Sequence, residues 1–353
     1  MIRSTENRWL HRFAILTALA TLFLICLGGL VTSKGVGMSV PDWPTTYGYS
    51  MFFFPFSKWV GGIFYEHSHR LVASAVGLLT VALAVWLWLQ EPRRWLRWLG
   101  IVAVFGVVLQ GVLGGLRVAW LKDELGIFHA ALAQLFFVLV CAIALFTSRW
   151  WTSAAKLPVR DRSGLGYLYQ ALTALIFLQL ILGATMRHQH AGLAISDFPL
   201  AHGKLWPALD PDSIARYNQE RLETAALNPI TPFAVGLQMA HRVLAFLLLA
   251  GVLWQARLTI RQLGRSHPVT RLSIAWVGLS VGQAVLGAAT IWTNKAADVA
   301  TAHVAGGALS LLTGAMLVLV ARRCFQTSPV EAHAAADARP RNEPANRPAQ
   351  LPA

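Results

Sequence analysis

The chain has 353 residues, of which 56% are hydrophobic and only 13% are charged, and its formal net charge is +14. A soluble globular domain carries nearly twice this share of charged residues, so the composition excludes an ordinary soluble protein. The basic residues are spread over alternate connections instead of forming one patch, and a nucleic-acid partner is therefore not expected.

Eight apolar runs follow one another along the chain, and each is long enough to cross a bilayer as a helix. Helices are predicted rather than barrel strands, because the runs are continuous and do not alternate. We therefore expect an all-α integral membrane protein with eight transmembrane helices. The runs cover residues 13–31, 70–89, 98–116, 128–147, 167–185, 234–256, 272–293 and 300–320.

The charge distribution predicts how these helices are oriented. Of the 30 Lys and Arg residues, 19 fall in the two termini and the even-numbered connections, where they leave a net charge of +13. Basic connections stay on the cytoplasmic side of a membrane. Both termini are therefore predicted to be cytoplasmic.

Four sequence blocks of the first half recur in the same order in the second half, at offsets of 155 to 174 residues. The repeat pairs His69 with His241 and His129 with His303. Each half contains four runs, so both halves enter the membrane in the same direction. We expect two pseudo-symmetric four-helix bundles in parallel repeat.

The expected segments are a cytoplasmic N-terminus, the first bundle, a cytoplasmic linker, the second bundle and a disordered cytoplasmic tail. Their predicted bounds are 1–12, 13–147, 148–166, 167–320 and 321–353.

The four repeated histidines are the strongest candidates for a site. Ionisable side chains inside membrane segments usually indicate function. All four are predicted in or just before the first turns of even-numbered helices, toward the outer face. Two histidines from different helices can supply both axial ligands of a six-coordinate haem iron. The alternative is that they only form hydrogen bonds between helices.

The residues beside the histidines differ between the halves. Glu66 lies one turn before His69, where the second half has Gln238, so only the first half has a carboxylate there for proton or charge chemistry. The alternative for Glu66 is an ion pair with Arg70 or Lys58.

Arg70 and Arg242 each directly follow a repeated histidine. They could pair with haem propionates or with nearby protein groups. They could instead extend toward lipid headgroups.

Other repeated or clustered residues are predicted to be structural. Asp42 and Asp197 are expected to cap helix starts, and the repeated glycines are expected to allow close helix packing. His188 and His190 resemble a small metal site but lack a repeat partner, so they are interpreted as loop histidines. His67 is expected to face away from His69.

Several of these segments together resemble the haem A synthase family, over about residues 10–322. They are GLVTSKGVGMSVPDWPTTYG, EHSHR, GVLGGLRV, QMAHR and ATAHVAGG. Members of that family are eight-helix membrane proteins built from two four-helix bundles. They oxidise the C8 methyl group of haem O to a formyl group, which gives haem A for terminal cytochrome oxidases.

The resemblance assigns different tasks to the two halves, with haem b as the resident cofactor in the second and haem O as the substrate in the first. It implies that His241, His303 and Arg242 hold haem b, that His69, His129 and Arg70 face haem O, and that Glu66 is the catalytic residue. Some members carry a cysteine pair in the first outer loop. This chain has none there, so no thiol step is expected.

The resemblance also implies an oxidoreductase acting on a CH or CH2 group in the bacterial plasma (inner) membrane. Candidate partners are haem O synthase, cytochrome oxidase assembly factors, membrane lipid and a second copy of the chain. Two other functions are weighed against it. A dihaem b-type cytochrome exchanging electrons with quinone fits poorly, because all four histidines are predicted near one face. A proton-relay transporter does not account for paired histidines in a parallel repeat.

Overall fold

The computed structural model describes residues 7–153, 164–221 and 229–325. Within these residues, eight helices are long and apolar enough to cross a membrane, which confirms the all-α membrane prediction. The α-helices of the described residues are α1 (Arg8–Ser33), α2 (Gly61–Gln90), α3 (Arg94–Ala119), α4 (Asp123–Thr147), α5 (Arg149–Ser153), α6 (Leu165–His188), α7 (Pro211–Gln219), α8 (Pro232–Leu263), α9 (Pro268–Trp292) and α10 (Ala297–Cys324).

Local sequence signals explain where several helices begin and end. The Asn7 side chain accepts hydrogen bonds from the first turn of α1, and Thr231 does the same for α8. Pro232 suits the first helical position, because that position has no intrahelical donor to lose. Gly264, with φ of 74°, ends α8 in a conformation that L side chains rarely adopt.

The long helices pack in two sets. In the first set, α1 packs on α2 and α4, and α3 packs on α2 and α4. In the second set, α6, α8, α9 and α10 make the corresponding contacts. The sets join where α1 and α4 meet α10 and α6. A strict two-bundle symmetry and the predicted domain bounds stay predictions.

Apolar side chains cover both the interior and the outside of the helices. The first core includes Leu83, Leu87 and Ile143, and the second includes Trp276 and Leu317. Many other large apolar side chains point outward, as expected for a surface solvated by lipid tails. They include Leu78, Phe105, Leu247 and Leu253, each at least 47% exposed.

The two long connections, α1–α2 and α6–α8, are named the first and second outer loops after their predicted side of the membrane. The first forms a two-stranded hairpin, β1 (Thr45–Thr46) with β2 (Tyr49–Ser50), followed by two 3-10 turns, and the second contains α7. The predicted disordered tail lies outside the described residues, apart from its first few, which complete α10. Most of the predicted cytoplasmic linker also lies outside them.

Candidate functional site

The four histidines lie deeper in their helices than the apolar runs predict. His69 is the ninth residue of α2 and His241 the tenth of α8, whereas His129 and His303 are the seventh residues of α4 and α10. The expectation of first-turn positions is wrong, because each helix begins before its apolar run. The turns before His69, His129 and His303 include polar residues that the apolar runs exclude. The run in α8 already begins seven residues before His241, so all four histidines lie in the second or third turn.

Each histidine ring packs against a glycine on a neighbouring helix. A Cβ added at Gly28 would lie 3.1 Å from the His69 Cε1 atom, and one at Gly183 would lie 3.3 Å from the His241 Cε1 atom. These two glycines occupy matched positions at the 155-residue offset. Any side chain there would displace the ring, so the glycines fix where the rings can lie.

The other two histidines repeat this arrangement. Gly114 of α3 faces His129, and Gly287 of α9 faces His303, with 3.3 Å from the added Cβ to Cε1 in both cases. These glycines therefore do more than allow two helix backbones to approach, because each one accommodates a histidine ring of the neighbouring helix.

One nitrogen of each of these four rings is buried without a hydrogen-bond partner among the described residues. The Nδ1 atoms of His69, His129, His241 and His303 are buried and have no hydrogen-bond partner within the described residues. An unsatisfied buried polar atom costs about 1–3 kcal/mol, so four matched ones require an explanation. The two histidines of each pair come from helices of the same packed set, α2 with α4 and α8 with α10.

These observations fit haem ligation. A neutral imidazole with a free nitrogen is the usual haem ligand, and each pair supplies two such rings from different helices. The glycines let each ring lie against the neighbouring helix, and the surrounding helices are apolar. No group of three or more His, Cys, Asp or Glu side chains within the described residues could hold a bare metal ion.

Three glutamine side chains donate hydrogen bonds to the backbone of three of the four histidines. The Nε2 atoms of Gln110, Gln179 and Gln283 donate hydrogen bonds of 2.9–3.0 Å to the backbone carbonyls of His129, His241 and His303 respectively. Sequence reasoning gave these residues no role. The signal was present, because each glutamine lies four residues before the glycine that faces the same histidine.

Glu66 and Arg70 together hold the first outer loop. The Glu66 carboxylate accepts a 2.9 Å hydrogen bond from the Val40 backbone N–H and forms a 2.7 Å ion pair with Arg70. Arg70 also donates to the backbone carbonyls of Val40, Asp42 and Thr45. The ion pair matches the alternative considered for Glu66. The predicted contact of Arg70 with haem O stays a prediction, since its terminal nitrogens already hold protein groups.

The second half holds its loop in the same way without the charge pair. Gln238 accepts from the Ile195 backbone N–H at 2.8 Å and donates to the Ile195 carbonyl at 3.1 Å. Arg242 donates to the carbonyls of Asp197 and Leu200. All three loop positions match those of the first half at the 155-residue offset.

The two repeated aspartates cap tight turns, and their predicted place at helix starts is wrong. Asp42 accepts hydrogen bonds from the backbone N–H groups of Tyr47 and Gly48 and from the Thr45 hydroxyl. Asp197 accepts from the N–H groups five and six residues after it in the same way. Partial burial opposes ionisation of Asp42, but these donors outweigh it and hold the pKa of its carboxyl below the usual range.

The remaining candidate histidines lie outside the paired sites. His67 is buried between the rings of Phe54 and Trp59, which confirms that it faces away from His69. His188 is the last residue of α6 and is buried, so its interpretation as a loop residue is wrong. Its ring lies against Gly126 of α4.

The chain is similar to a known protein family and to named proteins of that kind. Residues 49–316, about three quarters of the chain, match the family described as "Cytochrome oxidase assembly protein". The protein named Heme A synthase from Shouchella clausii is 28% identical over 301 residues, which cover 82% of this chain and 89% of that protein. The Heme A synthase from Geobacillus kaustophilus is 27% identical over 353 residues, which cover 95% of this chain and 98% of that protein.

The resemblance to haem A synthases that the sequence motifs indicated is thus confirmed. The matched region contains all four histidines, three of the four glycines that face them and the three supporting glutamines. The chain belongs to the cytochrome oxidase assembly protein family.

Proposed function

We propose that this protein is a haem A synthase, which oxidises the C8 methyl group of haem O to the formyl group of haem A for cytochrome oxidase assembly. The observation that carries the proposal is the contrast between two otherwise matched histidine pairs. Each ring has a facing glycine and a free buried nitrogen, but only the first pair has a carboxylate, Glu66, one helical turn away.

The second pair is the proposed place of the resident cofactor. His241 and His303 hold haem b, and their glutamine-supported backbones keep both rings in place. Haem b, when bound, supplies the capacity to accept and pass on single electrons. The surrounding apolar helices exclude water from the site, and neutral imidazole is the form that ligates iron.

The first pair is the proposed substrate site. His69 and His129 present haem O, and Glu66 supplies negative charge beside it. Conversion of a methyl group and water to a formyl group releases four protons and four electrons, so the substrate passes through electron-poor states. A fixed carboxylate stabilises positive charge that develops nearby. The Arg70 ion pair and the hydrogen bond from the Val40 N–H hold the Glu66 side chain in place.

The extracted pigment tests this proposal. The protein should be purified from cells that make haem O, and its haems separated by chromatography and identified by mass. We expect haem b together with haem O or haem A. The His241→Ala variant should lose haem b, and the matched His69→Ala variant should lose haem O and haem A while keeping haem b. Two haem b per chain and no haem O or haem A would contradict the proposal and favour a dihaem cytochrome.

We further propose that the protein lies in the bacterial plasma membrane with both termini in the cytoplasm and the histidine pairs toward the outer side. The excess of Lys and Arg in the alternate connections supports this orientation. A reporter enzyme that is active only outside the cytoplasm, fused after the last helix, should be inactive. The same reporter fused within the connection between α6 and α8 should be active, and the reverse pattern would contradict the orientation.

A further inference from the structure

Three of the four histidines share a two-residue support on the neighbouring helix. A glutamine donates to the histidine carbonyl, and a glycine four residues later faces the histidine ring. The three supports are Gln110 with Gly114 for His129, Gln179 with Gly183 for His241, and Gln283 with Gly287 for His303.

The four-residue spacing has a simple physical basis. Residues four apart lie on the same face of a helix, one turn apart. The glycine lets the ring approach, and the glutamine one turn earlier reaches the backbone that carries the ring. A histidine carbonyl inside a helix already accepts one intrahelical bond, and the amide fills its second acceptor position. The amide therefore ties the histidine backbone to the adjacent helix.

His69 is the exception. Its facing glycine is Gly28, and the residue four before that glycine is Leu24, which has no donor. Leu24 matches Gln179 at the 155-residue offset and packs against the first apolar core. The loop-holding arginines are present in both halves, so they do not make up for the difference.

We propose that Leu24 leaves His69 as the most weakly held of the four ligands, and that His69 is the ligand that releases haem when substrate and product exchange. This inference rests on the proposed function, in which the first site must exchange its haem at every turnover and the second must not. Leu24 acts through His69, so it is a positioning residue. The three glutamines are positioning residues for His129, His241 and His303.

Exchange of the two residues tests the inference. Leu24→Gln introduces the missing donor where the matched position already accommodates glutamine, and Gln179→Met removes the donor from His241. Leu24→Met is the control, because it conserves volume and adds no donor. Full-length proteins purified with bound haem O and haem b are mixed with excess apomyoglobin, and the transfer of each haem is followed by absorbance and by chromatography of the extracted pigments.

We expect Leu24→Gln to slow transfer of haem O by about threefold to tenfold, as one added hydrogen bond would, and to leave haem b transfer unchanged. Gln179→Met should speed transfer of haem b by a similar factor, and Leu24→Met should match the wild type. Equal haem O transfer from Leu24→Gln and Leu24→Met would overturn the inference.

If Leu24→Gln does not fold, the Gln179→Met variant still tests the inference. A haem b transfer rate equal to that of the wild type would then be sufficient to overturn it. Failure of the proposed function is recognised separately, because the wild-type protein would then contain no haem O or haem A.

Discussion

Glu66 and Gln238 hold the same backbone position in the two outer loops. Glu66 accepts the Val40 N–H at 2.9 Å, and Gln238 accepts the Ile195 N–H at 2.8 Å. An uncharged amide therefore suffices to hold this loop. The negative charge of Glu66 is an addition that the scaffold does not need, and the two contributions can be separated by mutation.

The first prediction concerns Glu66→Gln. We expect this variant to fold, to keep its outer loop and to bind both haems, because the second half is built with glutamine at that position. Formation of haem A should fall by about a hundredfold or more, as expected when a catalytic carboxylate is lost. The measurement is the ratio of haem A to haem O in membranes that contain the variant, compared at equal protein content.

Glu66→Ala serves as the matched comparison, since it loses both the charge and the hydrogen bond to the Val40 N–H. It should also increase cleavage of the first outer loop by added protease. Full haem A formation by Glu66→Gln would contradict the catalytic role. The Glu66 carboxylate would then have only a structural role, such as its ion pair with Arg70.

The second prediction concerns the glycines that face the histidines. Gly183→Val would place side-chain atoms against the His241 ring, because even a Cβ at this position lies 3.3 Å from Cε1. The ring must then move, and haem b content should fall by at least about half, since overpacking costs roughly 1–3 kcal/mol. Gly278→Val is the control, because nothing lies within 4 Å of a Cβ added there. Equal haem b content in the two variants would contradict this account of the ring position.

Much of this arrangement can be predicted from the sequence, and the limits have physical causes. Long apolar runs reveal the eight helices because lipid requires continuous apolar length. The internal repeat reveals the histidine pairs. The helix starts are missed because polar outer turns break the apolar pattern, and the glutamine supports are missed because an amide bonded to a backbone carbonyl leaves no charge pattern.

The hydrogen bonds of Arg70 to the first outer loop cannot be predicted from the sequence for a related reason. Arg70 bonds three backbone carbonyls that lie 25 to 30 residues away in the sequence, and any residue type can supply a carbonyl. No side-chain pattern therefore records these partners. The alignment of Arg70 with Arg242 favours pairing with haem propionates or nearby protein groups over a lipid-facing role, but it does not identify the carbonyl partners.

The third prediction concerns pH and the second outer loop. The ring of His202 stacks on Tyr217 with centroids 3.5 Å apart, and its Nε2 atom bonds the Ala194 carbonyl at 3.0 Å. Burial lowers the pKa of His202 below its usual value of about 6.5, although the bond to Ala194 and nearby acidic groups oppose this. Below about pH 6.5 the His202 side chain of the unfolded chain binds a proton that the folded loop does not bind. The stability of the loop is therefore greatest above this pH and decreases as the pH falls.

His202→Tyr isolates this effect, because the first half has Tyr47 at the matched position, where its hydroxyl donates to the Ser39 carbonyl at 2.6 Å. The variant should keep the backbone contact without a group that titrates near pH 6. We expect the wild-type loop to be cleaved faster by added protease at pH 5.5 than at pH 7.5, after correction for the protease's own pH dependence on an unfolded peptide. The variant should show a smaller difference. An equal difference in both proteins would mean that His202 does not cause the pH response, because the variant has no imidazole at this position to titrate.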